Sequence, residues 1–146
     1  MLREIYPEWH YAPPASPEAI AQVEATLGVH FPSALRDLYL ESDGVRECLS
    51  NAAYLLPLTA ERGESLARLT RFYWSEGAVY WPQLEFARFI FFGSSCSDHS
   101  WGINWQHPDQ VIAFHHNMED EYENAGTSII DVYGKDFDLM KSLKIE

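Results

Sequence analysis

Cysteine and long apolar runs are both scarce in this sequence of 146 residues. Its only cysteines, Cys48 and Cys96, show no spacing typical of a disulfide framework. No stretch approaches the roughly 18 apolar residues of a membrane-spanning helix, and the N-terminus begins no apolar run of the kind found in signal peptides. We therefore expect a cytoplasmic protein that does not bind membranes.

The sequence also lacks the short motifs of common catalytic sites. It contains no Gly-x-Ser-x-Gly nucleophile elbow, no phosphate-binding loop and no dinucleotide fingerprint. Cys96 and His99 have a C-x-x-H spacing, but a zinc site needs three or four converging ligands. His115 and His116 would point to opposite faces of an alternating strand and would not share a metal. We therefore predict no enzyme, no cofactor and no metal, with a small metal-dependent hydrolase as the weakest alternative.

Positive charge is missing from one long stretch of the chain. The formal net charge is −12, and no Lys or Arg occurs between Arg88 and Lys135. The acidic residues in that gap are Asp98, Asp109, Glu119, Asp120, Glu121, Glu123 and Asp131. A field of this sign repels nucleic acids and anionic membranes and attracts a basic protein. We therefore expect a basic protein partner, no nucleic acid and no membrane; the alternative is that the charge only maintains solubility.

Apolar and aromatic residues, by contrast, are abundant. Hydrophobic residues make up 47% of the chain and charged residues 22%, which is ordinary for a globular protein. A chain of this length can bury a sufficient core, so we predict a single domain over residues 1–146. Aromatic residues reach 14%. Some of these rings must fill the core, and the others are candidates for a contact surface.

The pattern of residues 16–44 indicates two short helices joined by a tight apolar elbow. Ser16-Pro17 suits an N-cap followed by the first helical position, and apolar residues then recur at helical spacing. Gly28 suits the left-handed position at the end of that helix. Pro32 begins the second helix, and Asp43-Gly44 forms the turn after it.

The remainder of the chain alternates between strand and helix patterns. The predicted elements are an extended edge segment at 54–58, a helix capped by Thr59 and ending at Gly77, strands at 86–92, 101–105 and 110–116, and a helical tail from Ser128 that Gly134 interrupts. This order predicts an α+β fold, in which an N-terminal helix pair, a further helix and a C-terminal helix cover an antiparallel sheet.

Several of these segments together resemble a known family. The first motif places an acid and Leu-Gly on one helix, an aliphatic residue and Pro before the next, and Gly after it. Its elements here are Glu24, Leu27-Gly28, Phe31-Pro32, Leu35, Leu38-Tyr39 and Asp43-Gly44. Later matching segments are Phe91 to Ser95, Trp101 to Asn104, Gln110 to Phe114 and Ser128 to Ile130. In this order they resemble the SMI1/KNR4 (SUKH) family, although Phe31 stands where an aliphatic residue is usual.

The resemblance implies an SMI1/KNR4-like α+β fold and a protein-binding role. Bacterial members commonly act as immunity proteins that neutralise polymorphic toxins, often nucleases, whereas fungal relatives act as cell-wall regulators that bind other proteins. We therefore predict an immunity protein that binds a toxin stoichiometrically and occludes it. The alternative is a regulatory or scaffold module of the same fold.

The acidic connection after the last predicted strand is the first candidate for the partner-binding surface. It consists of Glu119, Asp120, Glu121, Tyr122 and Glu123. Its carboxylates would meet Arg or Lys of the partner, and its tyrosine would serve as an anchor. The alternative is a solvated loop.

Two further candidates contain aromatic residues. Asp98 and Trp101 follow the Gly-Ser turn, where they would line a cleft; the alternative is a hairpin turn whose tryptophan packs on the sheet. Trp74, Tyr80 and Trp81 flank Gly77 and form either an exposed aromatic patch or part of the core.

Overall fold

The computed structural model of the protein describes residues 2–117 and 120–144. Its helices are α1 (Leu2–Ile5), α2 (Pro17–Leu27), α3 (Ser33–Glu41), α4 (Leu66–Tyr80) and α5 (Ile129–Lys144), and short 3-10 helices occur at Pro82–Leu84 and Phe86–Arg88. Its strands are β1 (His10–Tyr11), β2 (Val45–Arg46), β3 (Ala53–Leu55), β4 (Phe89–Ser94), β5 (Ser100–Asn104), β6 (Val111–Phe114) and β7 (Glu123–Gly126). The predicted α+β class is confirmed.

The predicted helix pair forms as α2 and α3. The Ser16 hydroxyl accepts a hydrogen bond from the Ala19 amide at 3.1 Å, as expected of an N-cap. Gly28 adopts φ 74°, and its amide donates to the Glu24 carbonyl. The Glu24 carboxylate in turn accepts from the Phe31 amide at 2.7 Å. The acid of the family-like motif therefore fixes the elbow between the two helices.

The strands of the described residues form two antiparallel sheets, ordered β1-β2-β3 and β4-β5-β6-β7. The predicted strands at 101–105 and 110–116 are confirmed with shorter bounds as β5 and β6. The predicted strand at 86–92 is shifted, because its first three residues form a 3-10 helix and β4 continues to Ser94. β7 was not predicted, since it begins within the acidic connection.

Two helix predictions need correction. Ser65, and not Thr59, caps α4: its hydroxyl accepts from the Arg68 amide at 3.1 Å. Gly63, at φ 79°, lies between the two candidate caps. Gly134 does not interrupt the last helix, which is continuous through it. The place of the missing side chain is partly taken by Tyr6, whose hydroxyl would lie 3.2 Å from a methyl group at position 134.

The second sheet is covered on both faces. On one face, buried rings of β4 and β6 pack against α4 and the 3-10 helices, as in the cluster of Tyr73, Phe86, Phe91 and Phe114. On the other face, Phe92, Trp101 and Ile103 pack in a cluster that includes residues of α5. This double coverage explains why β4 is apolar at consecutive positions rather than alternate ones. No helix of the part that the structure describes is long and apolar enough to cross a membrane.

Candidate partner-binding site

Two connections leave the second sheet at the same end. Ser94 of β4 pairs with Ser100 of β5, and Ser100 pairs with Phe114 of β6. The β4–β5 turn and the β6–β7 connection therefore meet, although they are separated in sequence. This register brings the turn that carries Asp98 beside the connection that contains Asp120, Glu121 and Glu123. We term these four exposed residues, all of them predicted site residues, the acidic end. The Asp120 carbonyl accepts a hydrogen bond from Gln83 Nε2 at 3.4 Å, so Asp120 lies toward the 3-10 helices.

Histidines of the two connections contact one another. His99 Nε2 of the turn is 4.0 Å from the Glu123 carboxylate, and the His99 and His115 ring centroids are 5.3 Å apart. β6 ends at Phe114, so His115 and His116 do not continue its alternation. Their rings are nearly parallel, with centroids 5.9 Å apart, and the predicted opposite orientation is wrong. Among the described residues, no group of three or more His, Cys, Asp or Glu side chains could hold a metal ion.

The β4–β5 turn is held in one conformation by Ser95. Its hydroxyl accepts hydrogen bonds from the amides of Ser97 at 3.2 Å and His99 at 3.1 Å, and its own amide donates to the His99 carbonyl at 2.9 Å. Asp98, between these two residues, has φ 64° in the left-handed region, which Asp tolerates better than most residues. The hydrogen bonds leave the Asp98 side chain exposed at the tip of the turn.

Asp136 of α5 also stabilises this turn through hydrogen bonds. Its carboxylate accepts hydrogen bonds from the Cys96 amide at 3.1 Å, the Cys96 thiol at 3.3 Å and the Tyr54 hydroxyl at 2.6 Å. Burial, together with the hydrogen bond to Asp136 and its charge, raises the pKa of Cys96 to about 11. Cys96 is therefore a neutral thiol at neutral pH, a poor nucleophile that contributes to the structure of the turn.

Trp101 does not belong to the surface, so its predicted part in partner binding is corrected. Only 2% of the residue is exposed, and its ring lies 5.2 Å from Tyr54 and 5.5 Å from Tyr133. It shares the inward side of β5 with Ile103. The alternative, a tryptophan packed on the sheet, describes its position.

The remaining residues of the acidic connection have different surroundings. Tyr122 is half-buried: its ring lies edge-on to Phe89 at 5.4 Å, and its hydroxyl accepts from Arg88 at 3.3 Å. These contacts hold the connection on the sheet, and an anchoring role of Tyr122 toward a partner stays a prediction. Glu119 lies outside the described residues, and its role also stays a prediction.

The aromatic residues around Gly77 divide between core and surface. The Trp74 indole donates to the Phe89 carbonyl at 2.8 Å, and the Trp81 ring packs on Phe114 at 4.9 Å. Tyr80 is 68% exposed, and so is its neighbour Val79, at 76%, which sequence reasoning missed. Trp81 contacts both Tyr80 and Phe114, the last residue of β6, after which the β6–β7 connection begins.

The structure is an α+β fold in which two connections that meet at one end of the second sheet carry exposed carboxylates. The chain belongs to the SMI1/KNR4 family (SUKH-1), whose model matches residues 14–136. This membership confirms the resemblance seen in the sequence and supports a protein-binding role, since the family generally comprises immunity and binding domains rather than enzymes. A search of curated proteins gives no significant match.

Proposed function

We propose that this chain is a cytoplasmic immunity protein, which binds a basic toxin domain stoichiometrically and blocks its active site or substrate path. The observation that carries the proposal is the acidic end. Two connections that the strand register brings to one end of the sheet carry four exposed carboxylates, within a stretch that has no Lys or Arg. Family membership supports the protein-binding part of the proposal.

The proposed mechanism is occlusion without turnover. The acidic end steers a basic surface into contact and accelerates association. Once the partner has docked, the exposed Val79 and Tyr80 supply apolar contact area that slows dissociation. A nuclease is a suitable target, because the groove that binds a nucleic acid is itself basic.

A capture experiment tests this function. The whole chain serves as bait in lysate of its source organism at low and high salt, beside a variant that neutralises the acidic end, D98N/D120N/E121Q/E123Q. We expect the wild-type chain to retain a basic toxin-domain protein at low salt and to lose it at high salt. The neutralised variant should retain little of it. A 1:1 complex by light scattering, and inhibition of the captured protein's activity, would complete the assignment.

The matched control carries four neutralised acids on other exposed positions, E8Q/E18Q/D37N/E61Q. It changes the net charge by the same amount and should still retain the partner. Equal loss in both variants would show that total charge matters and the acidic end does not. Recovery of a cell-wall or signalling protein that is not inhibited would favour the regulatory module over the immunity protein.

A further inference from the structure

A depression of about 420 Å³ lies on the α4 side of the acidic end, and its volume is typical of ligand pockets. Leu69, Phe72 and Tyr73 of α4 contribute apolar and aromatic lining. Glu64, Asp98 and Arg46 contribute charged groups from three other parts of the chain. The depression therefore combines an aromatic wall with carboxylates, and no short motif in the sequence indicates it.

The two carboxylates act on the same point of the lining. The Tyr73 hydroxyl donates to Ser100 Oγ at 2.9 Å. Burial raises the pKa of Tyr73, the hydrogen bond with Ser100 opposes that increase, and the negative charges of Asp98 and Glu64 add to it. Glu64, before α4, and Asp98, on the β4–β5 turn, thus both impose a negative potential near the Tyr73 hydroxyl.

Arg46, the positive group at the edge of the depression, is directed toward its own hairpin. Its Nη1 donates to the Asn51 carbonyl at 3.0 Å, in the β2–β3 connection. His116 also lines the depression, and Arg46 is the one fixed positive charge of the lining against the two carboxylates. The ligand that complements this lining is a cation with an apolar or planar body.

We propose that the depression is a receptor for one arginine side chain of a basic protein partner. The aliphatic part of the side chain packs on Leu69 and Phe72, and the guanidinium group meets Glu64 and Asp98. A guanidinium group suits the site better than an ammonium group, because it is planar, stacks on aromatic rings and binds carboxylates with several donors. This inference takes only one part of the proposed function, namely that the partner is a basic protein.

An NMR titration of the whole ¹⁵N-labelled chain tests the receptor. The probes are Nα-acetyl-arginine methylamide and its uncharged counterpart, Nα-acetyl-citrulline methylamide. We expect saturable shifts of amides in residues 64–73 and 97–100 with a dissociation constant on the order of 1 mM for the arginine probe. The citrulline probe should bind at least fivefold more weakly. Equal binding of the two probes, or no saturable shift in these segments, would overturn the proposal.

Variants locate the binding groups. E64Q/D98N should weaken the arginine probe at least fivefold, whereas E76Q/D109N, which neutralises two exposed acids outside the depression, should leave its affinity unchanged. Equal affinity of both variants for the arginine probe would overturn the receptor.

The two proposals can fail separately. If the receptor binds arginine but capture yields no toxin, only the immunity function fails. If a toxin is captured and E64Q/D98N binds it as tightly as the wild type, the receptor fails alone.

Discussion

At the scale of single residues, the absence of a side chain at position 93 lets the two sheets meet. The Leu56 amide donates to the Phe92 carbonyl at 2.7 Å, so the chain after β3 runs directly beside β4. A methyl group on Gly93 would lie 2.7 Å from the Tyr54 carbonyl carbon and closer still to the Tyr54 oxygen. These are backbone atoms, which cannot rotate away as a side chain can.

We therefore expect G93A to lower the free energy of unfolding by more than about 3 kcal/mol. The measurement is equilibrium unfolding in urea. G28A is the control: it places a methyl group at φ 74° with no atom beyond its chain neighbours within 4 Å, and should cost only about 1 kcal/mol. A G93A variant as stable as G28A would show that the sheets can separate at little cost.

Glu47 is a buried carboxylate that backbone donors surround. It accepts hydrogen bonds from the amides of Leu49 at 2.6 Å, Ser50 at 2.6 Å and Ala52 at 3.2 Å, and from the Ser50 hydroxyl. Burial by itself disfavours the charged form. The hydrogen bonds outweigh that effect, and the pKa of Glu47 is lowered from its usual value of 4.5. The charged carboxylate thus organises the β2–β3 connection.

A lowered pKa in the folded state means that the charged form stabilises the fold above pH 4.5, and that this contribution is lost as the pH falls through the folded-state pKa. We expect E47Q to cost about 1–3 kcal/mol at pH 7. The difference from the wild type should shrink as the pH falls below 4.5 and through the folded-state pKa. Urea unfolding at several pH values measures it, with the exposed E76Q as a control. A penalty that stays constant with pH would show that side-chain shape, and not charge, is responsible.

At the scale of elements, one carboxylate of α5 connects the last helix with β3 and with the β4–β5 turn. Besides burial, the hydrogen bond and charge of Asp136 raise the pKa of Cys96 to about 11. The D136N variant removes this charge, so it should lower the pKa of Cys96 and increase the thiolate fraction at pH 8. We expect Cys96 to be alkylated several-fold faster in D136N/C48S than in C48S.

The C48S background leaves Cys96 as the only thiol, and iodoacetamide labelling followed by mass spectrometry gives the rate. Opening of the turn would also expose the thiol, so amide hydrogen exchange at residues 95–99 is measured in parallel. An unchanged alkylation rate at unchanged exchange would contradict the role of the Asp136 charge.

The elements that the sequence predicts well are those whose ends are determined by residues close in sequence. Ser16 and Gly28 mark the ends of α2 because a cap and a left-handed residue act within one turn of helix. β7 has no such cause: its residues, Glu123 to Gly126, include no β-branched or aromatic side chain, and it exists because it pairs with β6. The predicted interruption of the last helix at Gly134 was wrong, because this glycine packs beside a residue distant in sequence, Tyr6.

The candidate site shows the same division. The acidic connection could be predicted from composition alone, because a gap in positive charge is visible in the sequence. The contact of His99 with Glu123 depends on strand register, and the shared depression of Asp98 and Glu64 depends on the packing of α4. The inward position of Trp101 follows from its sharing a strand face with Ile103, which is a signal that alternation could have supplied.

At the scale of the whole molecule, the net charge and its location act on different steps of binding. A charge of −12 attracts any basic protein from a distance, and salt screens this attraction over roughly 10 Å at 0.1 M. The acidic end adds local direction, because the two connections that carry its carboxylates meet at one end of the second sheet. The exposed apolar residues Val79 and Tyr80 act only after contact, over the short range of packing.

Stopped-flow and dissociation measurements with the captured partner separate these contributions. Between 50 and 500 mM salt we expect the association rate of the wild type to fall about tenfold or more, with little change in the dissociation rate. Neutralising the acidic end should slow association at low salt and reduce the salt dependence of the association rate. The control E8Q/E18Q/D37N/E61Q should keep most of the wild-type salt dependence. Y80S, in contrast, should accelerate dissociation and leave the association rate unchanged. An association rate indifferent to salt would exclude electrostatic steering by the acidic end.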